Sequence, residues 1–153
     1  VSRNRERFPG GGVLPYLWGI LQQLVTYRNA DFTVTLDGVP EQHKALLIAA
    51  GNSRYYAGGL KICPEARIDD ALLDVCIVGD LPLAQRVAVL RRVFSGTHTR
   101  HPRVTYRKAS RLEVSGPPNL LIHADGQIIG HLPATVRVLP RAIRVFAPPQ
   151  APS

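Results

Sequence analysis

The 153-residue sequence predicts a mainly β domain with two helices. Three observations lead there. From Phe32 onward, apolar residues alternate with polar ones or gather in strand-length runs. After Pro102, short apolar segments are separated by turn residues every ~8–12 positions, the rhythm of a sandwich or barrel. Two stretches only, one after Gly12 and one after Pro82, repeat at helical spacing.

Taken in order, residues 1–12, "VSRNRERFPGGG", read as a flexible basic lead-in or boundary. The domain proper is expected from 13 to 148. In "VLPYLWGILQQLVTYRN", Leu14, Leu17, Trp18, Leu21, Leu24 and Val25 fall on one face of a helix. A membrane-surface helix is the alternative, but its polar face lacks the Lys and Arg that such helices favour. Phe32, Val34 and Leu36 then alternate with polar residues up to a DG turn. "KALLIAAGN" and "LLDVCIVG" are continuous apolar runs, expected as strands buried on both faces. "LPLAQRVAVLRRVFSG" returns to the helical period, with Leu83, Val87, Leu90 and Phe94 on one face, Pro82 at its start and Gly96 past its end. "RVTYRK", "RLEVSG", "NLLIHADG", "ATVRVLP" and "AIRVFAP" follow as strands, and 149–153 form a tail.

The composition is that of a folded chain, with 45% hydrophobic residues and no apolar run near the ~20 residues that span a bilayer. No Met occurs, even at position 1, so a processed chain or a piece of something larger is expected. The net charge of +8 favours anionic partners: phosphates, nucleic acid or an acidic membrane surface. Cys63 and Cys76 sit among apolar neighbours and read as two buried, reduced thiols of a cytoplasmic protein. No CxxC pair is present to make a zinc ribbon.

Several short motifs carry candidate chemistry. "GNSRYYAGG", residues 51–59, lacks the GK[ST] ending of a phosphate loop and does not match GxGxxG, so a turn with packed aromatics is its simpler reading. Asp69 and Asp70 stand side by side before an apolar strand. Adjacent carboxylates repel and are costly to bury, so either one is exposed or a cation offsets them. A hard ion such as Mg²⁺ would take such oxygen ligands. "HADGQ" ends a strand in a DG turn: a plain hairpin, or a site edge bearing Asp125. His98 and His101 read as a polar turn. Basic residues are densest from Arg86 to Arg111, with Tyr106 the one aromatic among them, so no stacking platform for single-stranded nucleic acid is present. No helix-turn-helix, zinc finger or RNP motif is visible.

As a set, "GNSRYYAGGLKICPEARIDDALLDVCIVG" resembles the signature G-N-x-x-x-x-G-G-G-x-x-I-x-P-x-A-x-x-x-D-G-x-L-D-V of the diacylglycerol kinase catalytic family, bacterial lipid kinases related to sphingosine and ceramide kinases. The preceding helix and DG turn, then "ADGQ…LP" and "VRVLPRAIRVFAP", follow in the family's order. The resemblance runs from about Gly12 to Pro148. It implies a two-sheet, β-sandwich-like C-terminal domain that receives the lipid, facing an N-terminal domain that binds ATP through G-G-D-G-T. That motif is absent here, so the chain looks like the second domain without the first. The implied reaction is phosphoryl transfer from ATP to the hydroxyl of diacylglycerol or a similar lipid, and the isolated chain is expected to be inactive.

The resemblance also implies a site. A structural Mg²⁺ would take the Asp70 carboxylate and the carbonyls of Arg67 and Leu72, bracing the loop that meets the ATP domain. Gly51, Asn52, Gly58 and Gly59 would form the substrate or cleft loop, and Asp125 and Gln127 would line the catalytic cleft. The sequence departs from the family at Ala57, at Ala71 in place of the turn glycine, and at Gln127 in place of the glutamate that helps deprotonate the lipid hydroxyl. Gln cannot accept that proton. Expected partners are the lipid, an anionic membrane surface at the cytoplasmic inner face, the N-terminal kinase domain and a possible homodimer. No specific nucleic acid is expected. The competing reading is a non-catalytic basic β module, or a pseudokinase, binding anionic lipid or nucleic acid.

Overall fold

The computed structural model describes residues 28–56, 59–144 and 146. The lead-in, the first expected helix and the last residues lie outside them, as does Gly58. Among the described residues, eight strands form two antiparallel sheets: β1 Ala30–Leu36, β2 Val39–Gly51, β3 Leu73–Gly79, β4 Val104–Ala109, β5 Arg111–Ser115, β6 Leu121–Ala124, β7 Gln127–His131 and β8 Ala134–Arg137. The large sheet runs β4-β3-β2-β1-β5-β8, and β6 pairs with β7 alone. Among the described residues one α-helix, α1 at Leu83–Ser95, is followed by a short 3₁₀ turn at Thr97–Arg100.

The tight turns follow from residue type. Asp37-Gly38 and Asp125-Gly126 both have φ > 0 at both positions, the mirror-image turn whose twist suits a two-residue hairpin. The Asp37 carboxylate also accepts from the Ser110 hydroxyl at 2.7 Å and the Arg111 N–H at 2.9 Å, tying the β1–β2 turn to the β4–β5 turn. Those bonds, the Ser110 hydroxyl first, hold Asp37 below the usual carboxylate range.

β3 is buried on both faces from Leu73 to Val78, as its apolar run predicts. Its alternate residues feed two cores. Leu73, Val75 and Ile77 join Phe32, Val34, Ala45 and Leu112 on one side. Cys76 and Val78 join Leu46, Cys63, Leu81, Val89 and Val104 on the other. The large sheet is thus a layer with apolar cover on each face: α1 and the 60s loop on one, Leu120, Leu132 and Val138 on the other. β2 departs from the expectation of full burial. Its register shifts between Ala45 and Leu47, and Leu47 is exposed. Ala45 and Ile48 share a core although three apart, which strict alternation forbids and a bulge allows.

The helix packs by a narrower edge than its main apolar face. Leu83, Val87, Leu90 and Phe94 share a face, but Val89 and Val93 are the buried pair. Both helix ends select that orientation. Leu81 is buried just before Pro82, and the Lys61 N–H donates to the Val93 carbonyl at 3.0 Å. Gly96, at φ 78°, is packed so that a Cβ would sit 2.8 Å from Pro64 Cβ. Of the expected strand "AIRVFAP", Ala142–Arg144 are not in a strand, and residues 145, 147 and 148 lie outside the described residues.

Both thiols are free and buried, and burial pushes each up to about 12. His98 is no surface turn residue: it is fully buried. Its Nε2 lies 3.0 Å from the Ile62 carbonyl and 3.7 Å from Cys76 Sγ. Burial lowers its pKa, opposed by the carbonyls of Ile62 and Arg92. The unfolded imidazole takes up its proton near 6.5, whereas the folded one resists. The stability that follows is complete above that value and is lost as pH falls below it. Urea midpoints are therefore expected to drop between about pH 7 and about pH 5, and His98→Gln to flatten that drop. An unchanged slope in the variant would contradict the assignment.

Candidate functional site

The paired carboxylates of the sequence turn out to be partnered within the chain. The Arg67 guanidinium grips Asp69 with Nε–Oδ1 at 3.1 Å and Nη2–Oδ2 at 3.3 Å, in the open. This holds Asp69 below the usual carboxylate range. Asp70 lies inward. Its Oδ1 accepts the Leu72 N–H at 3.1 Å, and its Oδ2 receives Lys108 Nζ at 2.9 Å. The Lys108 bond is the main cause that lowers its pKa.

Ala71 closes this turn at φ 59°, the left-handed region where glycine is favoured. Ala71→Gly is expected to stabilise the domain by about 0.5–1 kcal/mol, the steric relief exceeding the added freedom of the unfolded chain. Urea denaturation reads it, and a net loss would show that the turn gains from its methyl group.

Lys108 reaches a second carboxylate, with Nζ 3.7 Å from Asp74 Oδ2. The two residues face each other across the β3–β4 ladder. Asp74 is wholly buried. The Tyr106 hydroxyl donates to its Oδ1 at 2.7 Å and itself accepts the Glu65 N–H at 3.3 Å. Burial first, and the bond to Asp74 second, push the Tyr106 phenol well above its usual range. Cys63 Sγ donates to the Asp74 carbonyl at 3.2 Å. The 60s loop is thus stitched to β3 and β4 by a polar network beneath it.

Gly51 ends β2 directly opposite Asp74. A Cβ there would lie 3.0 Å from Cys63 Sγ, so glycine lets the 60s loop close over the strand. Asn52 follows, with its amide between the Arg67 and Leu72 carbonyls. Turned with its NH₂ toward them, it donates to both, at 3.1 and 3.2 Å. Turned the other way, three oxygens converge. The two carbonyls named from the sequence are therefore gathered at one point, through Asn52. Gly59 has φ 118°, in the loop where Tyr56 bridges Leu60, and Lys61 Nζ stands 5.7 Å from the Tyr55 ring centroid. Among the described residues no group of three or more His, Cys, Asp or Glu is placed to hold a metal, so a cation here would need carbonyl oxygens besides the Asp70 carboxylate.

Asp125 and Gln127 belong to the hairpin of the second, two-stranded sheet. Asp125 is the first residue of the β6–β7 turn at φ 48°, and Gln127 begins β7. Both are exposed, and among the described residues neither forms a hydrogen bond or ion pair with the 51–74 loop region. The structure supports the hairpin reading of "HADGQ" and leaves its polar groups open to an outside partner. Lys108 and Tyr106 were missed as site residues. Their signal is the strand register, which sequence periodicity does not supply.

Residues 2–147 match the family described as the YegS C-terminal NAD kinase beta sandwich-like domain. The chain belongs to that family. Diacylglycerol kinase of Staphylococcus aureus (strain bovine RF122 / ET3-1) is 35% identical to this YegS-type domain over 127 residues, which is 83% of this chain and 40% of that protein. The enzyme of that name from strain JH9 matches equally. The chain thus spans about 40% of the length of the curated relatives it matches. The crystal structure of a diacylglycerol kinase from Bacillus anthracis superposes with a TM-score of 0.61 at 21% identity, over 80% of this chain and 44% of that one. Another B. anthracis structure gives a TM-score of 0.67 at 20% identity, over 82% and 43%. The resemblance read from the residues and the YegS-type fold agree.

Proposed function

We propose that this chain is the lipid-receiving part of an ATP-dependent lipid kinase, transferring phosphate to the hydroxyl of diacylglycerol or a similar lipid alcohol at the cytoplasmic face of a membrane. The observation that carries the reading is the 35% identity to proteins named diacylglycerol kinase across 83% of the chain, which takes in the whole 51–79 signature. ATP would be bound by a separate domain, corresponding to the part of those relatives this chain does not cover.

In this mechanism the hairpin turn supplies the acceptor side. Asp125 and Gln127 point their polar groups outward beside the exposed Ile128 and Ile129, so a lipid hydroxyl would meet polar atoms with its chains on apolar surface. Gln127 can orient that hydroxyl but cannot take its proton, leaving Asp125 as the carboxylate at this turn. Phosphoryl transfer depends mostly on positioning and charge neutralisation, so the reaction does not require residue 127 to be a base.

The donor set of the 52–72 loop fits Mg²⁺ by chemistry: two carbonyl oxygens, an amide able to present oxygen, and a neighbouring carboxylate. The Arg67 and Leu72 carbonyls with Asp70 would hold the ion, and Asn52 would turn its oxygen toward it. Bound there, Mg²⁺ would supply positive charge that braces the loop. Lys108 already supplies part of that charge to Asp70.

The competing reading, a binding module without chemistry, is favoured by one observation, the glutamine at 127. The full product of the gene encoding this chain, incubated with Mg²⁺, labelled ATP and vesicles containing diacylglycerol or sphingosine, decides between them. Labelled lipid supports the kinase. A folded, ATP-binding product that labels neither diacylglycerol nor sphingosine supports the module.

A further inference from the structure

Helix α1 has two apolar stripes, and the sheet uses one. Val89 and Val93 are buried against the core, while Leu83, Val87 and Phe94 are 50%, 39% and 46% exposed. With the half-buried Leu90, these three recur at spacings of four, three and four, a single stripe running the length of the helix. A stripe of this size on an outer helix face marks a contact surface.

Its electrostatic setting names the partner. From Leu81 to Leu112 the chain carries eight Lys and Arg and no Asp or Glu. Arg91 and Arg92 stand exposed on α1, and Arg100 is exposed on the 3₁₀ turn that follows it. An apolar stripe on a helix with cationic flanks and no carboxylate is the pattern that lies in the headgroup region of an anionic bilayer. The predicted helix of residues 14–25 lacks those cations; α1 has them.

We infer that α1 is a membrane-docking element, its Leu83/Val87/Leu90/Phe94 stripe entering an anionic lipid surface while Arg91, beside the stripe, and Arg100 pair with lipid phosphates. This rests on the lipid-kinase reading only in that such an enzyme meets its substrate in a bilayer. The docking itself is independent of catalysis. A second copy of the chain, or another segment folding over the stripe, would be a different occupant.

The test is sedimentation of the whole chain with vesicles of phosphatidylglycerol and phosphatidylcholine, containing no diacylglycerol, ATP or Mg²⁺. These conditions leave phosphoryl transfer out, so a failure here does not touch the kinase reading, and inactivity there does not touch this one. Binding to the anionic vesicles and not to pure phosphatidylcholine is expected. The double variant Leu83→Ser/Phe94→Ser is expected to bind at least tenfold more weakly, with its melting temperature unchanged. Arg91→Gln is expected to weaken binding about fivefold, an effect that salt erases. Equal binding by the double variant and the unaltered chain would overturn the inference. So would a dimer that the double variant converts to monomer, since a second copy would then own the stripe. A sharp fall in the double variant's melting temperature would also overturn it, because another part of the chain would then cover the helix.

Discussion

Asp74→Ala is expected to destabilise the domain by about 3–5 kcal/mol, the cost of removing one member of a buried, hydrogen-bonded charge network. The site explains the size. Asp74 has no exposed surface, sits in the most buried strand and receives the Tyr106 hydroxyl at 2.7 Å. Its removal leaves the partly buried Tyr106 hydroxyl without its acceptor and opens space beneath the 60s loop. Lys108 is partly exposed and retains Asp70, so its loss is the smaller share. Tyr106→Phe removes the donor instead and is expected to cost about 1.5–3 kcal/mol, as for a bond to a charged group. The double variant should lose less than the two single losses added, because the pair shares one interaction. Urea unfolding of the three variants reads all of this. Additive losses, or a loss below about 1 kcal/mol for Asp74→Ala, would mean that the network is not what holds the loop.

Gln127→Glu is expected to raise lipid phosphorylation by the full gene product by about 10²-fold, the lower end of what a positioned general base contributes. The reasoning is local. Residue 127 is exposed one step past a hairpin turn whose backbone is set by Asp125 and Gly126, so the substitution keeps the fold and changes only proton acceptance. Its pH profile should then gain a limb at the acid side that the unaltered protein lacks. No change in rate or profile would show that the proton goes elsewhere, Asp125 being the nearest carboxylate in sequence.

The sequence made the sheet legible through period and turn chemistry. The β3 run could only be a strand covered on both sides, and each DG pair closed a hairpin at φ > 0. The helical period put Leu83, Val87, Leu90 and Phe94 on one face of α1 but does not say which stripe meets the sheet, and Val89 and Val93 do. Arg67, Asp70 and Leu72, the set implied by the resemblance, lie within six residues of one another in the chain. Lys108 and Tyr106 come to that turn from more than thirty residues away through the β3–β4 register. That register also answers why two carboxylates can precede a buried strand. Arg67 and Lys108 neutralise them before any metal is added. Residue type named candidate chemistry at Asp125 and the resemblance named it at Gln127, but their place on the exposed hairpin of a second, two-stranded sheet became visible only in the structure.

The central claim is that this domain serves as the acceptor half of a lipid kinase. Its most direct test is exchange: the matching 40% of the S. aureus diacylglycerol kinase replaced by this chain, assayed with Mg²⁺, labelled ATP and diacylglycerol vesicles. The account predicts labelled phosphatidic acid, at a rate that rises when Gln127 is changed to Glu. A chimera that folds and binds ATP, yet labels no lipid with either residue at 127, would contradict it.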